Sequence, residues 1–410
     1  MAVHFRAIIG KGLTKRPRKV FATVLVSIAV AGFVFMQGIV VSYLVHPEAR
    51  GILGSVQNTL FIFVQALGFG IARSRHDERP MAVKEARFSP VIALALFGFS
   101  TVLAVFSFVH DQISTAFYLS AIVALCGIAA TIQVALQTAA MVEGHINILN
   151  LMRLVQPIFY TTVLTALMLL TCSQGAPLLV IFVLLASSYV AATIGAGIKN
   201  SPFVQKVRSG RCRVDVFVST FLAVLLSSIS ARMDVFAIST GMSLTDQGYY
   251  YTSLSFASAL LVVPNAVNMN FFKKLNGASR LFIVRYTAGT TALCVVQSLF
   301  VIVVAPIAVH YLFAAEYGGA LAMLPLAVLY VSLGIVASVA EQALLARSKS
   351  RTVAICKGAQ LSLCAVLLFV LPRQTTDYLL MPHIIAAVIG MLLMHGALYM
   401  SSSSRAGQET

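Results

Sequence analysis

The chain is built from long apolar stretches separated by short polar segments. Each stretch has about 20 residues, the length that an α-helix needs to cross the hydrocarbon core of a bilayer. The strict alternation of apolar and polar residues that is typical of an outer-membrane barrel is absent. The pattern therefore predicts an all-α polytopic membrane protein with 12 transmembrane helices. The predicted spans are 20–45, 51–72, 90–109, 116–141, 154–172, 177–198, 216–239, 247–271, 282–311, 320–345, 353–371 and 378–400.

Lysine and arginine residues lie almost entirely on one side of these spans. Of the 29 Lys and Arg residues, 26 fall in the tails or near the loops that follow even-numbered spans. Cytoplasmic loops of membrane proteins carry such an excess of positive charge. The asymmetry predicts that both termini are cytoplasmic and supports an even number of spans. It also explains the formal net charge of +16 without a nucleic-acid partner.

The spans divide into two six-helix bundles. Gly51 and Gly248 each open a span shortly after an acidic residue, and they are 197 residues apart. Two parallel halves of this kind are typical of a two-lobed transporter. The predicted organisation is a basic cytoplasmic segment 1–19, an N-lobe 20–198, a basic cytoplasmic linker 199–215, a C-lobe 216–400 and a disordered cytoplasmic tail 401–410.

Composition and motif content argue against an enzyme. Only 10% of the residues are charged, whereas soluble proteins have roughly 25%. The histidines form no HxxxD or HxxxH motif, and the six cysteines occur singly without metal-ligand spacing. We therefore expect no catalytic residues, no metal site and no cofactor.

Uncharged polar residues within the spans suggest a water-filled path. Gln133 and Gln137, for example, are four residues apart and share one helix face. Each such residue alone is better explained by a hydrogen bond to a neighbouring helix. The set is better explained by a hydrated cavity that can bind sugar hydroxyls. The candidates are Gln37, Asn58, Gln65, Gln133, Gln137, Asn265 and Asn268.

Three of the charged residues within predicted spans are candidates for function. Arg232 lies roughly 24 Å from the cytoplasmic face, so it either faces the cavity or extends toward the outer interface. Asp234 follows two residues later and is either a cation-coupling residue or a boundary residue. Glu341 lies roughly 9 Å inside the cytoplasmic end of its span, where it is either a coupling site or the partner of Lys357.

Three motifs resemble those of a known family and occur in the same order. Residues 43–72 read YLVHPEARGILGSVQNTLFIFVQALGFGIA, and residues 230–267 contain an R-x-D element followed by a G-Y pair. The loop before span 10 carries Phe313, Glu316 and Tyr317. On these motifs the chain resembles the Wzx-like repeat-unit flippases of the multidrug/oligosaccharidyl-lipid/polysaccharide exporter (MOP) superfamily.

The resemblance implies an alternating-access flippase of the bacterial inner membrane that serves O-antigen, capsule or exopolysaccharide biosynthesis. Its cargo would be an undecaprenyl-diphosphate-linked oligosaccharide, moved from the cytoplasmic to the periplasmic leaflet. Arg232 would attract the diphosphate, and Asp234 or Glu341 would couple transport to H⁺ or Na⁺. A polysaccharide polymerase and chain-length proteins are the implied protein partners.

Two other functions stay open on the sequence alone. One is a cation-coupled small-molecule or drug exporter of the same superfamily, and the other is a non-transporting scaffold of a glycan-assembly complex. The chain departs from the flippase pattern because Arg232 is the one clear cation away from the cytoplasmic ends of the predicted spans. Further cations would have to reach in from the cytoplasmic end, where Lys273, Lys274, Arg285 and Lys357 lie.

Overall fold

The computed structural model consists of long α-helices. It describes residues 17–76, 85–86, 113–171, 178–199, 212–234, 242–275, 278–370 and 376–406. The helices are α1 (Pro17–Leu44), α2 (Pro47–His76), α3 (Ile113–Glu143), α4 (Ile146–Thr171), α5 (Leu178–Lys199), α6 (Val214–Ala231), α7 (Leu244–Ala257), α8 (Val262–Leu275), α9 (Arg280–Leu312), α10 (Ala320–Ala346), α11 (Ser350–Val370) and α12 (Thr376–Ala406). Short antiparallel strands β1 (Glu85–Ala86) and β2 (Cys212–Arg213) pair with each other.

Eight of the described helices are long and apolar enough to cross a membrane. The prediction of a helical membrane protein is thereby confirmed. Every predicted span except 90–109 overlaps a described helix; span 247–271 overlaps α7, the 3₁₀ segment Ser258–Leu261 and α8. Span 90–109 lies outside the described residues. The total of 12 spans and the cytoplasmic position of both termini therefore stay predictions.

Helix α6 ends earlier than the sequence pattern predicts. The predicted span 216–239 includes Arg232 and Asp234, but α6 ends at Ala231. The amide of Arg232 donates to the carbonyl oxygen of Ile229 at 3.0 Å, which is a 3₁₀-type turn. Serine side chains favour such ends because they compete for backbone hydrogen bonds, and three of them occur between residues 227 and 230. Arg232 therefore lies in a turn rather than inside a continuous helix.

Apolar packing joins the helices in three main clusters. One lies in the first half of the chain and includes Leu44 and Leu164, both with no exposed surface. A second lies largely in the second half and includes Leu260 and Tyr317. The third crosses between the halves, because Ala66 of α2 belongs to the same cluster as residues of α6, α8, α10 and α12. The halves therefore share part of their core.

The two halves touch closely where α2 and α7 begin. A Cβ atom added to Gly51 would lie 2.5 Å from the carbonyl oxygen of Leu244. A Cβ atom added to Gly248 would meet the carbonyl oxygen of Pro47 more closely still. Only glycine allows backbones to approach this closely. We call these two reciprocal contacts the glycine seal.

The halves also touch at the opposite end, roughly 33 Å further along α2. There the guanidinium of Arg73 donates to the Ser348 hydroxyl at 3.2 Å. It also donates over 3.4 and 3.5 Å to the carbonyl oxygens of Leu345 and Ala346, where α10 ends. Carbonyl groups at a helix C-terminus attract cations because they lack helical partners and carry partial negative charge. Contacts between the halves thus exist at both ends of the bundle.

Candidate functional site

A cavity of about 470 Å³ lies between the halves. Helices α2, α3 and α4 of the first half line it together with α6, α7, α8, α10, α11 and α12 of the second half. Its apolar lining includes Phe69, Met141 and Phe272. Its polar lining includes Gln65, Gln137, Arg232, Tyr330, Glu341 and Lys357. The cavity can therefore hold a molecule that has both an apolar part and a polar or charged part.

Glu341 and Lys357 form an ion pair in the cavity wall. The Lys357 ammonium lies 3.6 Å from Oε2 of Glu341. The Ser227 hydroxyl donates to the other carboxylate oxygen at 2.6 Å. Of the two interpretations that the sequence left for Glu341, the structure therefore displays the pairing with Lys357. That pairing does not test a role in ion coupling.

Arg232 and Asp234 lie in different surroundings. Arg232 is partly exposed and lines the cavity. Asp234 is fully buried, and its carboxylate accepts a hydrogen bond from the Tyr250 hydroxyl. Asp234 thus contacts α7 rather than the cavity. Arg232 is in place to meet an anionic group, whereas Asp234, three residues after the end of α6, is part of the packing against α7.

The uncharged candidates divide between the cavity and the helix contacts. Gln65 and Gln137 line the cavity. Gln37 instead donates to the carbonyl oxygen of Pro157 at 3.2 Å and to the Thr161 hydroxyl at 3.0 Å, which joins α1 to α4.

The remaining candidates also bond within or between helices. Gln133 donates to the carbonyl oxygen of Met152 at 3.1 Å. Asn58 donates to the carbonyl oxygen of Gly54 at 2.8 Å within its own helix. Asn268 accepts from the Tyr286 hydroxyl. Asn265 belongs to α8, but its side chain lies outside the described part of the structure.

Arg50 is a buried residue that the sequence analysis assigned to a loop. Its guanidinium donates to the carbonyl oxygen of Gly38 at 3.0 Å and to the Ser255 hydroxyl at 3.4 Å. It also lies 5.7 Å from the ring centroid of Tyr317. Pro47 was the missed signal, since proline favours the first turn of a helix and places Arg50 inside α2. Arg50 therefore joins the halves beside the glycine seal.

Two more contacts reinforce this end of the bundle. The Tyr317 hydroxyl donates to the carbonyl oxygen of Val45 at 3.0 Å. Burial raises the pKa of Tyr317 to about 12, so this hydroxyl keeps its proton at physiological pH. Nδ1 of His46 lies 3.3 Å from Oε2 of Glu316. Each of these contacts also connects one half of the chain with the other.

Comparison by sequence finds no relatives. No protein-family model matches the chain, and no match is found among curated proteins.

Solved structures match the fold over nearly the whole chain. An outward-facing multidrug resistance MATE family transporter of the MOP superfamily has a TM-score of 0.67 at 14% identity, over 95% of this chain and 97% of that one. An inward-facing transporter of the same description has a TM-score of 0.61 at 13% identity, over 94% and 100% of the two chains.

A third match is a MOP superfamily transporter from Pyrococcus furiosus, for which a binding pocket of reverse polarity is said to suggest a different function. Its TM-score is 0.58 at 13% identity, over 95% of this chain and 97% of that one. At these identities the likeness establishes the fold, which this chain shares with MATE transporters. These neighbours are transporters, which agrees with the expectation that the chain is not an enzyme. The superfamily and the flippase assignment stay predictions that rest on the sequence motifs.

Proposed function

We propose that this protein is a membrane exporter that moves an amphipathic small molecule through the cavity between its halves. The cavity, whose lining contains both apolar and polar side chains, is the observation that carries the proposal. Its volume of about 470 Å³ falls within the range of roughly 300–1,000 Å³ that small-molecule sites occupy. The shared fold with MATE transporters adds support.

The mechanism would be alternating access in a bilayer. The regions 20–198 and 216–400 would move as two lobes, and the contacts at either end of the cavity would open in turn. Both termini would lie in the cytoplasm of a bacterium, as the charge asymmetry predicts. Alkaline phosphatase fused after Arg405 should then be inactive, and an active fusion would contradict this orientation.

The charges of the cavity indicate which cargo it favours. Arg232 and Lys357 supply two positive charges to the described lining, and Glu341 supplies one negative charge. Opposite charges attract strongly where water is partly excluded. An amphipathic solute with an anionic group should therefore bind better than its cationic analogue.

A flippase for undecaprenyl-diphosphate-linked glycans is the second candidate. The same two cations favour it, because they could bind a diphosphate. The motifs around Arg50 and Arg232 favour it as well. H⁺ or Na⁺ coupling through Glu341 is compatible with either cargo.

Deletion of the gene in its native cell separates the two candidates. For an exporter we expect normal surface polysaccharide and greater cellular retention of anionic amphipathic dyes, restored by the wild-type gene but not by Arg232→Ala. Loss of the polymer, with lipid-linked repeat units trapped in the cytoplasmic leaflet, would instead establish the flippase. Unchanged dye retention together with unchanged polymer would contradict both.

A further inference from the structure

Lys357 occupies an unusual position for a lysine. It lies in the second turn of α11, only 6% of its surface is exposed, and it lines the cavity. A buried ammonium is costly unless anionic or polar groups compensate it. The described part of the chain gives it one ion-pair partner, the Glu341 carboxylate. A negatively charged group in the cavity would therefore lower the free-energy cost of burying the Lys357 ammonium.

The existing pair compensates this charge only loosely. The separation of 3.6 Å between the Lys357 ammonium and Glu341 is long, because charge-assisted N–H···O bonds are typically about 2.7–2.9 Å. The ammonium has three donors, and one carboxylate at this distance does not satisfy them. An anion that approached within direct bonding distance would bind more strongly than Glu341 does.

If the Glu341 carboxylate loses its contact with Lys357, it still has other polar contacts. Its second oxygen accepts the short bond from Ser227, which belongs to α6 rather than α11. About 17% of the Glu341 side chain is exposed, so its carboxylate also reaches water in the cavity. Exchange of Glu341 for another anion at Lys357 is therefore feasible without a rearrangement of the helices.

Gln360 supplies an additional donor on the same helix face. It lies three residues after Lys357, lines the cavity and is 93% buried, being 7% exposed. Residues three apart on a helix are neighbours. The Gln360 amide packs against Gly390 of α12, where any Cβ atom would collide with it. Gly390 therefore provides the space that keeps Gln360 next to Lys357.

From these contacts we infer that Lys357, assisted by Gln360, is a binding site for a phosphate-like anionic head group of the cargo, which displaces Glu341. This inference rests on the proposed function, because it assigns the charged end of the cargo to one part of the same cavity. Arg232 lies in the turn after α6, so the cavity offers an anion two separate positions.

Binding of octyl phosphate to the full chain in nanodiscs tests the site, with octanol and octyltrimethylammonium as neutral and cationic analogues. The wild type should prefer octyl phosphate. Lys357→Gln should weaken its binding at least tenfold, and Glu341→Gln should strengthen it because the competing carboxylate is neutral. Lys349→Gln, which removes an exposed cation after α10, should bind like the wild type.

A charge exchange distinguishes binding from structure. Lys357→Glu combined with Glu341→Lys keeps an ion pair but moves the ammonium to α10. If Lys357 binds the anion together with Gln360, the exchanged protein should fold and still bind octyl phosphate weakly. Full recovery of binding, or wild-type binding by Lys357→Gln, would overturn the inference.

Two competitors identify the source of the anion. Displacement of octyl phosphate by farnesyl diphosphate alone supports the site and points to a lipid-linked anion. Displacement by inorganic pyrophosphate as well supports the site and points to a soluble one, whereas displacement by neither contradicts it. Lys357-dependent binding without export would overturn the proposed function alone. Export with Lys357-independent binding would overturn this inference alone.

Discussion

Among single residues, Asp234 and Tyr250 form the most deeply buried polar contact near the cavity. Both have no exposed surface, and the tyrosine hydroxyl donates to the carboxylate. A buried carboxylate that loses a donor costs free energy because water cannot replace that donor.

Tyr250→Phe should therefore destabilise the protein by about 2 kcal/mol, seen as a lower temperature of thermal unfolding in detergent. The control is Tyr249→Phe, since Tyr249 is only partly buried and packs its ring against Gly319. An equal decrease in unfolding temperature in the two variants would show that the hydrogen bond to Asp234 does not stabilise the protein specifically.

The contrast between Gln137 and Gln133 illustrates what a sequence can predict about single side chains. Both residues share a predicted helix face, and both are polar within an apolar stretch. One lines the cavity and the other bonds to the carbonyl oxygen of Met152. The choice depends on where α4 packs against α3, which is a long-range property that local periodicity does not contain. Polarity was predictable here, but the partner was not.

Among the helices, α2 and α7 form the closest approach between the halves. Alanine at Gly51 or Gly248 would place its methyl group against backbone carbonyl oxygens. Backbone cannot move aside as a flexible side chain can, so the starts of α2 and α7 must separate.

Gly51→Ala and Gly248→Ala should each open this end of the bundle. We expect a several-fold lower yield of cross-linking by a short bis-maleimide between His46→Cys and Glu316→Cys, whose native side chains are 3.3 Å apart. Gly32→Ala and Gly289→Ala serve as controls, because a Cβ atom at either position meets nothing within 4 Å. An unchanged cross-linking yield in Gly51→Ala and Gly248→Ala would mean that α2 and α7 accommodate the added methyl group without moving apart.

Helix existence was well predicted from the apolar runs, whereas helix ends and breaks were not. The predicted span 247–271 is in fact α7, a 3₁₀ segment and α8, with Pro264 in the first turn of α8. A proline in that turn loses no helical hydrogen bond, so it marks a helix start. The residues around the break, Ser255–Val263, are all apolar or small, which is why the run looked continuous.

In the molecule as a whole, different chemistry joins the halves at the two ends of the bundle. One end has glycine backbone contacts and the buried Arg50. The other depends on Arg73, whose bonds to the end of α10 measure 3.2–3.5 Å. Longer hydrogen bonds are weaker, so the Arg73 end should open more readily.

Arg73→Ala should therefore expose the cavity to water. The rate at which a water-soluble maleimide labels Ser338→Cys in the cavity wall should rise several-fold. Arg347→Ala is the matched control, since Arg347 lies at the same end but donates to Ala278 of its own half at 2.8 Å. No change in Arg73→Ala, or an equal rise in Arg347→Ala, would show that Arg73 does not hold the halves together.

The glycine seal also bears on the symmetry of the molecule. Each glycine packs on the carbonyl group that lies four residues before the other glycine, and both elements are offset by 197 residues. Such reciprocity is the property of an isologous interface, in which residue i contacts j while j contacts i. One polypeptide thus contains the reciprocal contacts that are typical of a two-fold symmetric dimer. A duplicated half would need a single glycine codon to specify both contacts, whereas the present chain must retain two codons independently.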